Sequence, residues 1–492
     1  MITLDNFKSA IPNYIVEISK LLHENKFESY LVGGCIRDLL IGIIPSDFDI
    51  ATNATPEEII MIFEKSIATG AQFGTITVVV KDEFGESHSV EVTTYRSEED
   101  YVDGRWPSKV KFTKNIIDDL ARRDFTINAI AFNLENFYID SSKKQIGMIT
   151  EYLIDPFGGV NDLKNRLIRC VGNPIERLSE DGLRSVRGCR FAAQLQFDIH
   201  PETKDAMSKT LHITKHVSIE RFRDELLKLL YKSPKPSVGI NHMKDVGILE
   251  IFIPELLEGI GVEQPEFHTE DVYNHTLSAV DVAADNVKIA ALFHDIAKPR
   301  TKSVDSSGIH FYGHDVKGAE MTRDIMKRLK FPNAVIEDTA LLVKYHMFHY
   351  PSADWRKANL TMDDSSDHGW SDGAIRRLIK NVGGDEQIEK LLALRLADAT
   401  SNKKAEYNRS ELTLLSQRIS EVRAASSAMS ISDLDISGDV LMQHFGIKPS
   451  KMLGDILKTL LEKVIDNPTL NKRETLLELA EEFIKSKGDK SI

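Results

Sequence analysis

The sequence predicts an α+β chain, with a mixed α/β domain in front and helical domains behind it. Three observations carry this. Short runs of strand-like alternation occur before about residue 160, helical apolar periods fill the chain beyond it almost without strands, and DPFGG at 155–159 breaks the pattern between the two. A chain of 492 residues exceeds one ordinary hydrophobic core, so two to four domains are expected.

The front elements follow in order. YIVEISKLLHENKF has a helical apolar period, SYLVGG a short apolar run ending in a Gly-Gly turn, and IRDLLIG a second helix closed by Gly42. SDFDIA then predicts a strand, on which Asp47 and Asp49 share one face while Phe48 and Ile50 point the other way. GTITVVV (74–80) and HSVEVTTY (88–95) predict two more strands, joined by the turn-like KDEFGES. Strand propensity continues weakly through FTINAIAFN and FYID. Behind residue 160 the periods are helical, DDSSDHGWSDG (363–373) is an expected loop, and ELTLLSQRISEV and TLLELAEEFIKS are amphipathic helices near the end.

Composition limits the function classes. The hydrophobic fraction of 42% and charged fraction of 28% belong to a folded soluble protein. There is no basic start followed by an apolar core and no long apolar run, so a secreted or membrane-spanning protein is not expected. Cys35, Cys170 and Cys189 are far apart and form no CxxC, which fits a reducing, cytoplasmic setting. The net charge of -13 weighs only weakly against a nucleic-acid partner, because a local basic surface still binds phosphate. Oligomeric state is left open.

Chemistry concentrates in two places. Asp47, Asp49 and Glu91, on strands expected to be neighbours, are oxygen ligands suited to one or two Mg²⁺ ions that bridge carboxylates to substrate phosphates. The alternative is an edge strand with a wet acidic face. Arg184 follows Asp181 by three residues, so on a helix the pair would offer an acceptor and a donor fork to a base edge, or form an ordinary ion pair. The second place is a set of imidazoles and carboxylates, His275, His294, Asp295, His314, His346, His349 and Asp398, whose chemistry suits Mn, Fe, Ni, Co or Zn.

VGGCIRDLLIGIIPSDFDIATN (32–53) resembles the catalytic motif of the class II tRNA nucleotidyltransferase and bacterial poly(A) polymerase family. The resemblance runs on, in order, through EVTTYRSEEDYVDGRWPSKVKF, DLARRDFTINAIAF, IDPFGGVNDLKNRLIRCVGNP, RLSEDGLRSVRGCRFAAQL and SIERFRDELLKLL, across about residues 25 to 230. It implies a polymerase-beta-like nucleotidyltransferase head at 1–160, a helical neck at 161–262, an HD-like domain at 263–405 and a helical body and tail at 406–492.

Carried over by residue, the resemblance implies metal ligation by Asp47 and Asp49 with Glu91 as the associated acid. Gly33, Gly34 and Arg37 would lie near the triphosphate, and Arg122, Arg123, Asp124 and Asn128 would hold sugar and phosphates. Glu180, Asp181, Arg184, Arg187 and Arg190 would form a nucleotide-selecting helix, with Asp181 and Arg184 as protein template. The implied reaction is addition of CCA to tRNA from CTP and ATP with Mg²⁺. Phe73 before Gly74 departs from the family's frequent histidine. Only Lys65 and Lys81 lie between Asp49 and Glu91, fewer basic residues than poly(A) polymerases carry there, so CCA addition is favoured over poly(A), CC-only or A-only addition.

The order His275, His294, Asp295 and Asp398 resembles the HD phosphohydrolase superfamily, which implies a transition-metal site and hydrolysis of cyclic or terminal phosphates. His314 and His346 are further candidates at that site. A phosphohydrolase with an inactive head is the distant alternative. Lysines of the tail, among them Lys448, Lys451, Lys458 and Lys463, are expected on ordinary solvated faces, with tRNA contact as the alternative.

Overall fold

A computed structural model describes residues 4–102, 106–137, 149–264, 270–347, 372–401, 406–424 and 431–488. His349 and residues 363–371 of the expected loop lie outside the described residues, whereas 372–373 begin a helix, Asp372–Val382. The chain divides into two compact units, Met1–Pro254 and Glu255–Ile492.

The first unit is built on a seven-stranded sheet. Its named strands are β1 (Ser29–Val32), β2 (Asp49–Thr52), β3 (Ser66–Gly70), β4 (Thr75–Lys81) and β5 (Ser87–Thr94). The order is β3-β4-β5-β2-β1, continued by Ala131–Asn133 and Leu153–Ile154. All pairs are antiparallel except β2 with β5, which is parallel. Every residue of β1 is buried, which is why SYLV carries no alternation: both faces of the central strand are covered. Tyr30 and Val32 pack on one side with Ala51, Tyr95, Leu120 and Ala131.

Two expectations need correction here. Asp47 precedes β2 instead of lying within it, although Phe48 and Ile50 are buried and Asp47 is exposed, so the alternation begins before the ladder. In FTINAIAFN, Thr126–Asn128 is a tight 3₁₀ turn and only Ala131–Asn133 joins the sheet.

The helical remainder of this unit includes Pro174–Glu180, Leu183–Leu195, Ile219–Lys232 and Pro236–Asp245. The expected single helix through RLSEDGLRSVRGCRFAAQL is therefore two. Asp181 is extended (φ -146°, ψ 111°), and a Cβ at Gly182 would lie 2.7 Å from Ile213 O and from Thr214 Cα. The chain breaks where backbone meets backbone, a contact only glycine allows. The three cysteines all belong to this unit, are buried, and have their thiol pKa pushed up to about 12 by burial.

In the second unit, Val272–Val282, Lys288–Phe293, His314–Arg328, Asn333–Tyr345 and Asp385–Ser401 surround a polar pocket. A separate apolar cluster joins Gly438–Phe445, Lys451–Asp466 and Arg473–Gly488 through Leu441, Ile456, Leu460, Val464 and Leu476. Among the described residues no helix is long and apolar enough to cross a membrane.

The break at Gly182 gives a stability prediction. Gly182→Val should destabilise the first unit by about 2 kcal/mol, the usual scale for overpacking a site that cannot relax. Urea unfolding followed by circular dichroism measures it, and an unchanged midpoint would show that the close approach is not needed.

Candidate active site and candidate metal centre

One cleft of about 770 Å³ in the first unit is lined by Gly33, Gly34, Arg37, Asp47, Asp49, Glu91, Arg122, Arg123, Asp124, Asn128, Asp181, Arg184, Arg187 and Arg190. Every head and neck residue singled out in the sequence except Glu180 is among them. Glu180 stands behind, ion-paired to Arg184 and, at 2.7 Å, to Arg177.

Parallel pairing places Asp49 directly beside Glu91, as register partners on β2 and β5. On its other side Asp49 pairs with Val32, the residue before Gly33. Gly33 has φ +80°, and a Cβ there would lie 2.8 Å from Arg123 Nη1, so glycine brings the backbone turn against that guanidinium. Burial pushes the Asp49 carboxyl up to about 6; Arg123 opposes this, while Glu91 and Asp47 add to it. The cluster thus holds more negative charge than its surroundings balance. A hard divalent cation with oxygen preference fits such a donor set.

The arginines are fixed by buried or half-buried carboxylates. Asp119, fully buried, takes Arg122 at 2.8 Å and Arg123 at 3.2 Å. Arg37 donates to Asn128 Oδ1 at 2.8 Å and to Asp38. Asp124 receives Arg187 at 2.8 Å, Asn128 Nδ2 at 3.1 Å and the Phe125 amide at 2.8 Å. Burial alone would raise the Asp124 pKa, but Arg187, Asn128 and Arg184 hold it far below the usual carboxylate range. Arg190 is bound to Glu225 at 2.6 Å and to Gln194 at 2.7 Å.

Asp181 and Arg184 do not form the helical pair expected from their spacing. Because the helix breaks between them, Asp181 turns to Arg221, at 2.6 and 3.2 Å, and accepts the Leu183 amide at 3.0 Å. Arg184 instead donates to Glu180 and to the carbonyl oxygens of Arg177 (2.8 Å) and Arg122 (3.1 Å). Both still line the cleft.

Sequence reasoning passed over several groups. Asp119 stands just ahead of the two arginines, and its burial explains why both point inward. Arg221 and Glu225 lie in SIERFRDELLKLL, where their spacing signals only a helix face. Phe191 is also in the cleft wall, with the guanidinium carbons of Arg190, Arg37 and Arg187 at 4.0, 5.1 and 5.3 Å from its ring centre.

In the second unit the structure brings His275, His294, Asp295, His314, His346 and Asp398 into one buried pocket. His275 Nε2 is 3.0 Å from Asp398 Oδ1 and 3.4 Å from His294 Nε2. His294 Nε2 is 3.2 Å from Asp295 Oδ2, and His314 and His346 Nε2 are each 3.6 Å from Asp295 Oδ1.

The far ring nitrogens settle the tautomers. His294, His314 and His346 Nδ1 lie 2.8, 2.6 and 2.6 Å from the carbonyl oxygens of Ala291, Phe311 and Val343, which only accept, so each Nδ1 carries the proton. His275 Nδ1 faces Ser401 Oγ at 3.1 Å, whose own hydroxyl donates to Asp398 O at 2.6 Å. Each Nε2 then faces carboxylate oxygens inside the pocket, an arrangement that calls for positive charge there, as a proton or as a metal ion. His314 and His346 Nε2 are buried without a hydrogen-bond partner. Burial alone would lower the His294 pKa, but Asp295 and Asp398 hold it above its ordinary value, the same demand for positive charge expressed as a proton. Backbone-anchored imidazoles with inward Nε2 are the usual construction of a transition-metal site.

A third cluster, Asp82, Glu86 and His88, has a simpler account. Asp82 accepts the Phe84 and Glu86 amides and the His88 ring, closing the β4–β5 turn.

Fold and sites together define a nucleotidyltransferase head and neck joined in one chain to an HD-type metal pocket. Family comparison agrees: the Poly A polymerase head domain matches residues 29–169, the "Probable RNA and SrmB- binding site of polymerase A" 196–259, the HD domain 266–403, and tRNA nucleotidyltransferase domain 2 residues 383–480. The CCA-adding enzyme of Ligilactobacillus salivarius is 30% identical over 488 residues, 98% of each chain. That of Staphylococcus aureus strain MRSA252 is 44% identical over 229 residues, 46% of this chain and 52% of its own. Among solved structures, the Bacillus stearothermophilus CCA-adding enzyme in complex with CTP covers 97% of this chain and 98% of its own at a TM-score of 0.66 and 22% identity, a likeness of fold. The chain belongs to the CCA-adding enzyme family.

The raised Asp49 pKa gives a pH prediction for the metal-free protein. Between the ordinary carboxylate range and about pH 6 the folded state binds this proton more tightly than the unfolded chain, so stability falls as pH rises through that window. Asp49→Asn removes the buried charge. In EDTA at pH 7.5 it should raise Tm by a few degrees, and the gain should vanish near pH 4; a variant less stable than the parent at pH 7.5 would contradict the account.

Proposed function

We propose that the chain adds C, C and A to the 3′ end of tRNA, using CTP and ATP and releasing pyrophosphate. The observation that carries this is the placement of Asp49 beside Glu91 in the same cleft as Asp181 and Arg184. In this reading the 3′-hydroxyl oxygen of the RNA bonds to the α-phosphorus as the bond from that phosphorus to the β-phosphate oxygen breaks, the hydroxyl proton passing to water and pyrophosphate leaving. Asp47 and Asp49, with Glu91 beside them, would hold Mg²⁺, which when bound would activate the hydroxyl and neutralise charge on the triphosphate.

The remaining work falls to the arginines. Arg37 and Arg123, each pinned by a second hydrogen bond, hold the triphosphate at fixed distance, and Gly33 and Gly34 let it approach the backbone. Arg122, Asp124 and Asn128 hold the sugar and phosphates, while Arg187, tied to Asp124, holds the neck helix to the head and Arg190, tied to Glu225, holds it to the next neck helix. Asp181 and Arg184 meet the Watson–Crick edge of the incoming base. A carboxylate has about four acceptor positions, so Asp181 can keep Arg221 and still accept an exocyclic amine. Preorganised groups of this kind need no rearrangement as charge develops.

The HD-type pocket, with His275, His294, Asp295 and Asp398, is proposed to hold a transition metal (Mn, Fe, Ni, Co or Zn) and to hydrolyse cyclic or terminal phosphates. The four-part division at residues 160, 262 and 405, and a cytoplasmic location, belong to the same reading.

The decisive experiment supplies Mg²⁺, CTP and ATP with a tRNA ending at its discriminator base. Addition of C, C and A followed by a stop is expected; long A tails, a stop after CC, or action only on CC-ended tRNA would select a poly(A), CC-only or A-only enzyme. Asp49→Ala or Asp47→Ala should lower addition about a thousandfold in a folded protein, and near-normal addition would remove both from the metal site.

A second prediction separates selection from chemistry. Arg184→Ala, and Arg221→Met through its hold on Asp181, should keep Mg²⁺-dependent transfer but lose discrimination between correct and incorrect bases. Unaltered fidelity in misincorporation assays on both variants would place base recognition elsewhere.

A further inference from the structure

Three arginines of the cleft converge on Phe191. The guanidinium carbons of Arg190, Arg37 and Arg187 lie 4.0, 5.1 and 5.3 Å from its ring centre, all within the distance at which the negative face of a phenyl ring attracts a cation. Arg187 and Arg190 precede Phe191 on the helix Leu183–Leu195, whereas Arg37 comes across from the helix Gly34–Leu40 of the head. The ring is braced from behind. Phe125, fully buried, meets it edge-on, with 5.9 Å between ring centres and 83° between planes. A Cβ at position 188 would lie 3.0 Å from Phe125 Cζ, so Gly188 is what lets Phe125 come up against this helix.

An uncharged group suits this place because of what the arginines already hold. Each is tied at one end: Arg37 to Asp38 and Asn128, Arg187 to Asp124, and Arg190 to Glu225 and Gln194. Arg187 Nη1 stands 4.0 Å from Glu225 Oε1, beyond hydrogen-bonding reach. Cations gathered this closely repel one another. Burial and the neighbouring Arg187 push the Arg190 guanidinium below its ordinary pKa, with Glu225 opposing them. A carboxylate in place of the phenyl would cancel the repulsion, but it would also occupy donors that a polyphosphate needs. The phenyl quadrupole offsets part of the repulsion, accepts no strong hydrogen bond and leaves those donors open.

We propose that Phe191 is a positioning residue for the triphosphate: its ring keeps Arg37 of the head in register with Arg187 and Arg190 of the neck helix, as a counter-group that carries no charge. This rests on the reading of the cleft as a nucleoside triphosphate site and adds to it the group that orders its cations.

The test replaces Phe191, in the full-length chain, by phenylalanines bearing one, two and three ring fluorines, which keep the shape of the ring and weaken its negative face in steps. CTP affinity is read by calorimetry in Mg²⁺, and KM and kcat for CTP on a tRNA ending at its discriminator base. Affinity should fall stepwise and KM rise with it, to about tenfold at three fluorines, while kcat changes by less than about twofold. Phe191→Leu should lose at least as much, and Phe191→Tyr should restore the parent value. A flat series, or a loss confined to kcat, overturns the proposal, because a ring that only fills space is indifferent to its quadrupole. The fluorinated series decides the matter even if Phe191→Leu does not fold. A parent that binds CTP but adds nothing to tRNA overturns the proposed reaction, and the calorimetric series still decides the role of Phe191. A parent that binds no CTP overturns both.

Discussion

The parallel pairing of β2 with β5 is the constraint on which the head depends. It sets Asp49 and Glu91 side by side, as register partners with equivalent facing, and a one-residue slip would turn one of the two carboxylates to the other face of the sheet. Carboxylates so placed repel, and burial makes the ionised form of Asp49 costlier still. The fold tolerates this because Arg123 approaches from the Gly33 side, and because a site for a divalent cation is worth more to the reaction than the same residues paired would be to the fold.

The rest of the cleft follows the opposite rule. Around the acidic cluster nearly every named arginine is already engaged: Arg122 with Asp119, Arg187 with Asp124, Arg190 with Glu225, Arg221 with Asp181. A long cation held at one end has little freedom left to lose when a triphosphate arrives, so its binding energy is not spent on ordering side chains. Removing one member of such a pair leaves the other charge poorly solvated, which makes these residues coupled contributors. Neither Asp119 nor Glu225 need touch a nucleotide to matter to one.

How much of this was legible in the sequence depends on the range of the information. Local periodicity marked β1, β2, β4 and β5 and the Gly-Gly turn, and alternation correctly put Asp47 and Asp49 opposite Phe48 even though Asp47 lies before the ladder. The motif order gathered nearly all of the cleft residues. What periodicity missed was set by distant backbone: the helix break at Gly182 comes from Ile213 and Thr214, some thirty residues on, and it cancelled the expected pairing of Asp181 with Arg184. His314 and His346 were legible as candidate ligands from their residue type, but their placement was not. Nothing in their flanking residues shows that Asp295 lies between them and His294, because three separate helix ends must converge before the pocket exists.

The cysteines carry a practical consequence. All three thiols belong to Met1–Pro254 and are buried, and their raised pKa leaves almost no thiolate at neutral pH. An alkylating reagent therefore finds them only when the first unit opens, while opening of Glu255–Ile492 exposes no thiol at all. Cysteine labelling over time becomes a clock for one half of the molecule, read without any engineered probe. Alkylation compared with and without CTP and Mg²⁺ would convert nucleotide affinity into a slower ticking of that clock.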